Sequence, residues 1–255
     1  MEDIKKKVQS WWDGSPCCSR IASAPRGTKE FYEQVDLYKD TYESFTDKIA
    51  DYGFWKGKRI LEIGCGLGKN FSRFAAGGAV ATAVDMSIES IKLTKKRLAI
   101  FGLKGNLCLA DAENLPFKDN AFDLIFSWGV LHHTPDTQSA IGEVCRCIKP
   151  GGKAIIMLYR KYSLFNLQCV LMYLRRRKDY SSRDESLAVF TDGVGNPLSK
   201  VYSKRDILKM FSAFDDIRIS AYEPRGSRFI KIFKLFPMLE NRFGWFMVIE
   251  AKKHA

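Results

Sequence analysis

Arg59-Ile60-Leu61-Glu62-Ile63-Gly64-Cys65-Gly66-Leu67-Gly68-Lys69-Asn70 begins as an apolar run of strand type and then breaks into glycines at Gly64, Gly66 and Gly68. The residues that follow can turn helical at once, so the stretch predicts a strand, a tight turn and a helix start. Glycine suits such a turn because it takes positive φ without a Cβ penalty and lets a ligand approach the backbone. A bend with a purely structural purpose would use glycine in the same way. The dinucleotide fingerprint G-x-G-x-x-G places a third glycine where this chain has Lys69, and it aims a helix N-terminus at a pyrophosphate. Glu62, just ahead of Gly64, would repel that anion. Its carboxylate suits a ligand with a cationic amino-acid end and ribose hydroxyls.

Downstream, residues 79–84 predict a second strand ended by Asp85, 17 residues after Gly68, near the spacing at which doubly wound folds meet ribose hydroxyls. A nicotinamide site uses the same device, so Asp85 argues for a nucleoside without choosing among ligands. Ser87 caps a helix predicted to run to about residue 101, with Glu89 in its first turn. Residues 106–110 predict a third strand, which delivers Asp111-Ala112-Glu113-Asn114-Leu115-Pro116-Phe117 to the same sheet edge. Read locally, that segment is also an Asx and proline turn. Residues 122–127 predict a buried fourth strand, and residues 128–133 follow at the carboxyl edge, where open α/β sheets bind ligands. Thr134 as N-cap and Pro135 at the first position open the next helix. Strands over 153–159, 216–221 and 245–251 complete the pattern.

E-x-G-x-G-x-G at Glu62 to Gly68, Asp85, and D-A-x-x-L-P-F at Asp111 to Phe117 fall in one order. In that order the chain resembles the class I S-adenosylmethionine-dependent methyltransferases, notably small-molecule enzymes similar to those of quinone biosynthesis. The likeness is strong over about residues 55–160 and looser elsewhere. It implies an α/β, doubly wound, mostly parallel seven-stranded Rossmann-like sheet with an antiparallel last strand, N-terminal helices and inserted C-terminal cap elements. It implies an N-terminal helical lid segment over 1–54 and the methyltransferase domain over 55–255, with caps at about 160–202 and 225–244. The implied cofactor is S-adenosylmethionine, leaving as S-adenosylhomocysteine. Glu62, Gly64, Cys65, Gly66, Gly68, Asp85, Met86, Asp111, Ala112, Glu113, Ser127 and Trp128 would hold it. In that scheme Asp111 takes the adenine amino group, the Ala112 N–H meets a ring nitrogen, and Ser127 and Trp128 border the methionine part.

An N-terminal helix in this family commonly covers the cofactor and lines the acceptor pocket. Here Thr28 is a credible N-cap, and Phe31, Val35, Tyr38, Tyr42, Phe45 and Ile49 recur at helical steps, which predicts one amphipathic helix. Tyr38 and Tyr42, with Tyr159 and Arg160, are the expected acceptor-binding residues, although such a stripe equally makes core. His132 and His133 fall beside the expected methyl group, and a neutral imidazole there could take the acceptor's proton. The same pair could instead cap the next helix, since aligned acceptors can react without a base.

Composition narrows the partners. No run of 18 or more apolar residues appears, and no signal-type apolar core follows the N-terminal lysines, which predicts a soluble, cytoplasmic protein. Seven cysteines without framework or C-x-x-C zinc spacing predict reduced thiols and no metal site. The formal net charge is +12, and residues 151–255 hold 20 of the 41 bases but only 10 of the 29 acids. That imbalance points to an anionic substrate or surface, or simply to solubility. Residues 160–178 are apolar with a basic end, and residues 225–237 alternate basic with apolar. Both fit a cap over a greasy or anionic small-molecule acceptor, or a peripheral contact with an anionic membrane. Methylation of RNA, tRNA in particular, is the alternative, but no recognisable RNA-binding module accompanies the bases. A non-catalytic S-adenosylmethionine-binding protein is the third reading, although none of the motifs is broken.

Overall fold

A computed structural model describes residues 2–176, 180, 182–222 and 241–254. The strands β1 (Arg59–Ile63), β2 (Val80–Asp85), β3 (Asn106–Leu109), β4 (Phe122–Trp128), β5 (Ile148–Tyr159), β6 (Phe214–Tyr222) and β7 (Phe246–Lys253) make one sheet. Its order is β3-β2-β1-β4-β5-β7-β6. The first five strands run parallel, and β7 lies antiparallel between β5 and β6. The expected doubly wound sheet with an antiparallel last strand is therefore present. Chain order reverses between β1 and β4, so a crevice opens beyond their carboxyl ends, the usual ligand position in such sheets.

The central strands read as unbroken apolar runs because both faces are covered. Ile60, Phe126 and Ile155 join the cluster with Phe71 and Phe74, while Leu61, Ile63 and Ile125 join that with Ile141 and Val144. Side chains alternate along each strand, so Glu62 falls on the Ile60 face, next to Phe126 in register. Helices α4 (Lys69–Ala76), α5 (Ile88–Ile100), α6 (Thr137–Cys147) and α9 (Lys204–Met210) connect the strands. Ahead of β1 come α1 (Glu2–Gly14), α2 (Lys29–Tyr42) and α3 (Phe45–Ala50); α7 (Leu164–Arg175) and α8 (Arg183–Asp192) are inserted after β5. No helix among the described residues is long and apolar enough to cross a membrane.

Four expectations change. The helix after Thr28 is capped as expected, with Thr28 accepting from Phe31 N at 3.2 Å, but it stops at Tyr42 and restarts at Phe45. Glu43 leaves the helix and its carboxylate takes the Trp128 indole N–H at 3.0 Å, while Phe45 stacks on Tyr222. Asp136, not Thr134, caps α6: it accepts from Ser139 N at 3.0 Å, and the Thr134 hydroxyl turns back to Leu131 O. The fifth strand starts early, at Ile148, which pairs with Phe122 across a register shift. An unforeseen helix, α8, covers Arg183–Asp192, and its N-cap Ser182 accepts from Glu185 N. The second expected cap falls largely on residues 223–240, outside the described residues, as does the end of the basic run at residues 177–178.

Candidate active site

The glycine turn is a cradle with one open side. Gly64, Gly66 and Gly68 have φ of +78°, +53° and +75°. A Cβ on Gly64 would meet Val130 at 2.2 Å and one on Gly68 would meet Thr94 at 2.8 Å, whereas one on Gly66 would meet nothing within 4 Å. The outer two glycines therefore close the turn against α5 and the β4 loop, and the middle one faces the cavity. Asp85 braces this arrangement from the tip of β2, accepting from Gly66 N on one oxygen and Ser87 N on the other, both at 2.9 Å.

Charge is buried here at a cost that a ligand would relieve. Glu62 is 2% exposed, and its Oε2 has no hydrogen-bond partner among the described residues. Burial pushes its carboxyl up to about 8, with Lys39 and the Asn70 side chain pulling it back. Burial likewise lifts Asp85 to about 6 against the Ser87 and Gly66 N–H groups. Cys65 on the cavity wall is held as a thiol by burial, and Cys17 by its hydrogen bond with Cys18.

Of the residues expected to hold the cofactor, Glu62, Gly64, Cys65, Gly66, Asp85, Met86, Asp111, Ala112 and Trp128 do line this cavity. The others do not reach it. Gly68 sits behind the turn against Thr94. Glu113 accepts from Asp136 N at 2.7 Å and pairs with Lys5, tying α1 and the start of α6 together. Ser127 is fully buried and donates to Ile63 O across the β1–β4 pair.

The expected acceptor residues need more correction. Tyr42 is 46% exposed and packs at a tilt on Tyr38, and neither lines the cavity, because α2 ends there and its buried face is Phe31, Tyr32 and Val35. Tyr159 is core: its ring lies on His132 and Trp245, and its hydroxyl donates to Asp192 at 3.2 Å. Arg160 reaches Asn241 O at 2.8 Å, away from the site. His132 is wholly buried behind the wall, and burial holds its ring well below the usual imidazole range. His133 does line the cavity. Its Nδ1 lies 2.6 Å from Leu198 O, so in the neutral ring Nδ1 carries the proton and donates, leaving Nε2 as the lone pair, 3.6 Å from Asp192.

Several lining residues had escaped the motifs. Helix α1 lies over the cavity: Val8 and Trp12 line it, Trp12 sets its edge on His133, and Gln9 donates to Met86 O at 2.9 Å. Lys5 pairs with both Asp111 and Glu113 at 2.5 Å. From α2 comes Lys39, one turn after buried Val35; a lysine on an otherwise apolar stripe was the signal available for it. Among the described residues, no His, Cys, Asp or Glu cluster could hold a metal ion.

Comparison with known proteins agrees with this geometry. Residues 61–156 match the methyltransferase domain family. The methyltransferase GfsG of Streptomyces halstedii is 28% identical over 149 residues, covering 57% of this chain and 48% of that protein. A ubiquinone biosynthesis O-methyltransferase of Coxiella burnetii is 39% identical over 98 residues, 38% of this chain and 42% of that one. The chain thus spans about half, or less, of the length of these relatives. Among solved structures, magnesium protoporphyrin IX methyltransferase from Synechocystis PCC 6803 with bound SAH superposes with a TM-score of 0.65 at 15% identity, covering 98% of this chain and 99% of that one.

Proposed function

For this chain, whose residues 61–156 match the methyltransferase domain family, we propose a class I S-adenosylmethionine-dependent enzyme that moves a methyl group onto a small-molecule acceptor. The observation that carries this is the convergence, at one sheet edge, of the open Gly66 cradle, the unpartnered Glu62 carboxylate and the tips Asp85 and Asp111. S-adenosylmethionine would fit those groups and would supply an electrophilic methyl on sulfur. Asp85 would accept from the ribose hydroxyls, Asp111 and the Ala112 N–H would read the base, and Glu62 would hold the ammonium.

Helices α1 and α2 form the lid over that site, with α7 and α8 as the cap beside it. The acceptor enters between Trp12, Cys17 and His133 on the wall. Enclosing it there excludes water and aligns its nucleophilic atom, which supplies most of the rate. His133 is the candidate base for the proton the acceptor loses, its ring lining the wall beside Trp12 and its Nδ1–H fixed on Leu198 O. An apolar acceptor is favoured by the aromatic wall. Helix α7 leaves Leu167, Leu171 and Leu174 exposed beside Arg175 and Arg176, which fits docking on an anionic membrane from which such an acceptor is drawn.

Calorimetric titration with S-adenosylmethionine and S-adenosylhomocysteine, using NAD as a control, tests the reading. Micromolar binding of both, weakened about 100-fold in Asp85→Ala through loss of charge-assisted hydrogen bonds and absent for NAD, is expected. No binding by the unaltered protein would remove the basis for it.

A further inference from the structure

Helix α1 has a second face, turned away from the cavity. Lys5, Val8, Gln9 and Trp12 serve the cavity, whereas Lys6, Lys7, Ser10, Trp11 and Gly14, the complementary set at helical spacing, line a separate open groove of about 580 Å³. Ser15 and Arg20 after the helix, with Gly195 and Pro197 from the loop after α8, complete the groove, and it shares no lining residue with the cavity.

The groove carries one sign of charge. Lys6, Lys7 and Arg20 line it, and among the described residues no acid does. Lys6 and Lys7 each have a carboxylate one turn back, Glu2 at 3.2 Å and Asp3 at 2.8 Å, but all four side chains are exposed, so solvent screens both pairs and neither ties up its lysine. Arg20 has no ion pair among the described residues; its guanidinium lies over the Trp11 ring, 5.4 Å from the centroid. The Trp11 indole N–H is a further donor, buried and with no hydrogen-bond partner among the described residues. Gly195, at φ +94°, presses its backbone on the same ring, so closely that a Cβ would come within 2.9 Å of Cζ3. Trp11 is thereby a fixed apolar wall between Arg20 and the loop. A concave site with charges of one sign on low-dielectric walls focuses potential, which lysines scattered over a convex surface do not. The C-terminal end of α1 opens on the groove at Gly14 and opposes an anion with about half a charge, which three full positive charges outweigh.

We propose that this groove binds the phosphate group of a small anion, held by Lys6 and Lys7 from α1 and by the Arg20 fork. A phosphate suits it better than a carboxylate because its oxygens point to several sides at once, and three cations can meet them with Arg20 bidentate. The source of that phosphate is a phosphorylated molecule in solution or the headgroup of an anionic lipid.

The test titrates the full chain calorimetrically with pyrophosphate, with and without saturating S-adenosylhomocysteine, beside two double variants that remove the same charge: Lys7→Ala with Arg20→Ala in the groove, and Lys95→Ala with Lys104→Ala on exposed lysines elsewhere. The groove pair should weaken pyrophosphate binding about 10-fold or more and the remote pair less than about 2-fold, with S-adenosylhomocysteine changing neither result. Unchanged melting of the ligand-free variants shows that they are folded. Loss of pyrophosphate binding on adding S-adenosylhomocysteine would put the anion in the cavity, and equal weakening by the two pairs would reduce it to the general field of a chain of net charge +12. Either result overturns the assignment, as does no binding by the unaltered protein. Should S-adenosylhomocysteine itself not bind, the cofactor reading falls, while the two variants still decide the groove. Cosedimentation with phosphatidic acid vesicles separates the sources: loss in the groove pair alone names a lipid headgroup, and equal cosedimentation of all three proteins names a soluble phosphate.

Discussion

The two ends of the cavity are built by different rules. At the nucleoside end, Gly64, Gly66, Asp85 and Asp111 come from the tips of three adjacent parallel strands, and backbone geometry fixes them. At the other end, Trp12, Cys17, Lys39 and His133 come from α1, the loop after it, α2 and the β4 loop, and side-chain contacts hold them. A site for an invariant ligand can be part of the sheet, whereas a site that differs among relatives sits on elements that can change without disturbing it.

The largest expected effect sharpens the first half of that contrast. Gly64→Ala forces a left-handed residue and drives a methyl into Val130, so it should cost about 3 kcal/mol or more in urea unfolding. Gly66→Ala has the same backbone penalty but an empty Cβ position, so it should lose only about 1 kcal/mol of stability. Its S-adenosylhomocysteine affinity should drop about 10-fold as the methyl enters ligand space. Equal destabilisation by the two would show that the turn is structural throughout.

Acidity gives the next effect. Glu62 keeps its proton in the folded, ligand-free protein up to about pH 8, whereas the unfolded chain releases it near the ordinary carboxylate value. Stability should therefore be full at low pH and fall as pH rises through that window, with Asp85 adding the same trend up to about 6. In thermal melts the midpoint should drop by a few degrees between pH 5 and 8, and Glu62→Gln should flatten the upper part of the curve. A midpoint that rises over this range would contradict the burial of both acids. The smallest effect belongs to the outer surface: Leu171→Glu should reduce sedimentation with phosphatidylserine vesicles several-fold and leave cofactor affinity unchanged.

The sheet was legible because strands covered on both faces carry unbroken apolar runs, and the nucleoside end because its residues lie within a few positions of strand tips. A lid segment was expected from the resemblance, but its contacts were not legible, for the opposite reason. Lys5 to Asp111 and Gln9 to Met86 are contacts across 106 and 77 residues, with no local mark on either partner. Tyr38 and Tyr42 share the aromatic stripe of α2, but periodicity does not say which side of that helix meets the cavity, and it is the side of Val35 and Lys39 that does. Helix α8 did have a local sign, Ser182 with Glu185 three residues on, in the spacing of a capping box. Lys39 is the instructive case: periodicity gave its face, but only the folded chain shows that this face continues from core into cavity.

Lys5 gives α1 a kinetic meaning. With its ammonium shared between Asp111 and Glu113, and with Gln9 fastened to Met86, the helix closes the nucleoside end like a hasp. Helix α2 is fastened separately to α5, by Tyr32 to Leu93 O and by Asp36 to Arg97. Under the proposed function, spent cofactor would leave at the rate at which the α1 contacts, including those of Asp13 with Ser87 and Glu89, open together. A first turnover that outruns all later ones, with the later rate rising as salt loosens the Lys5 pairs, is the time course such a closure imposes.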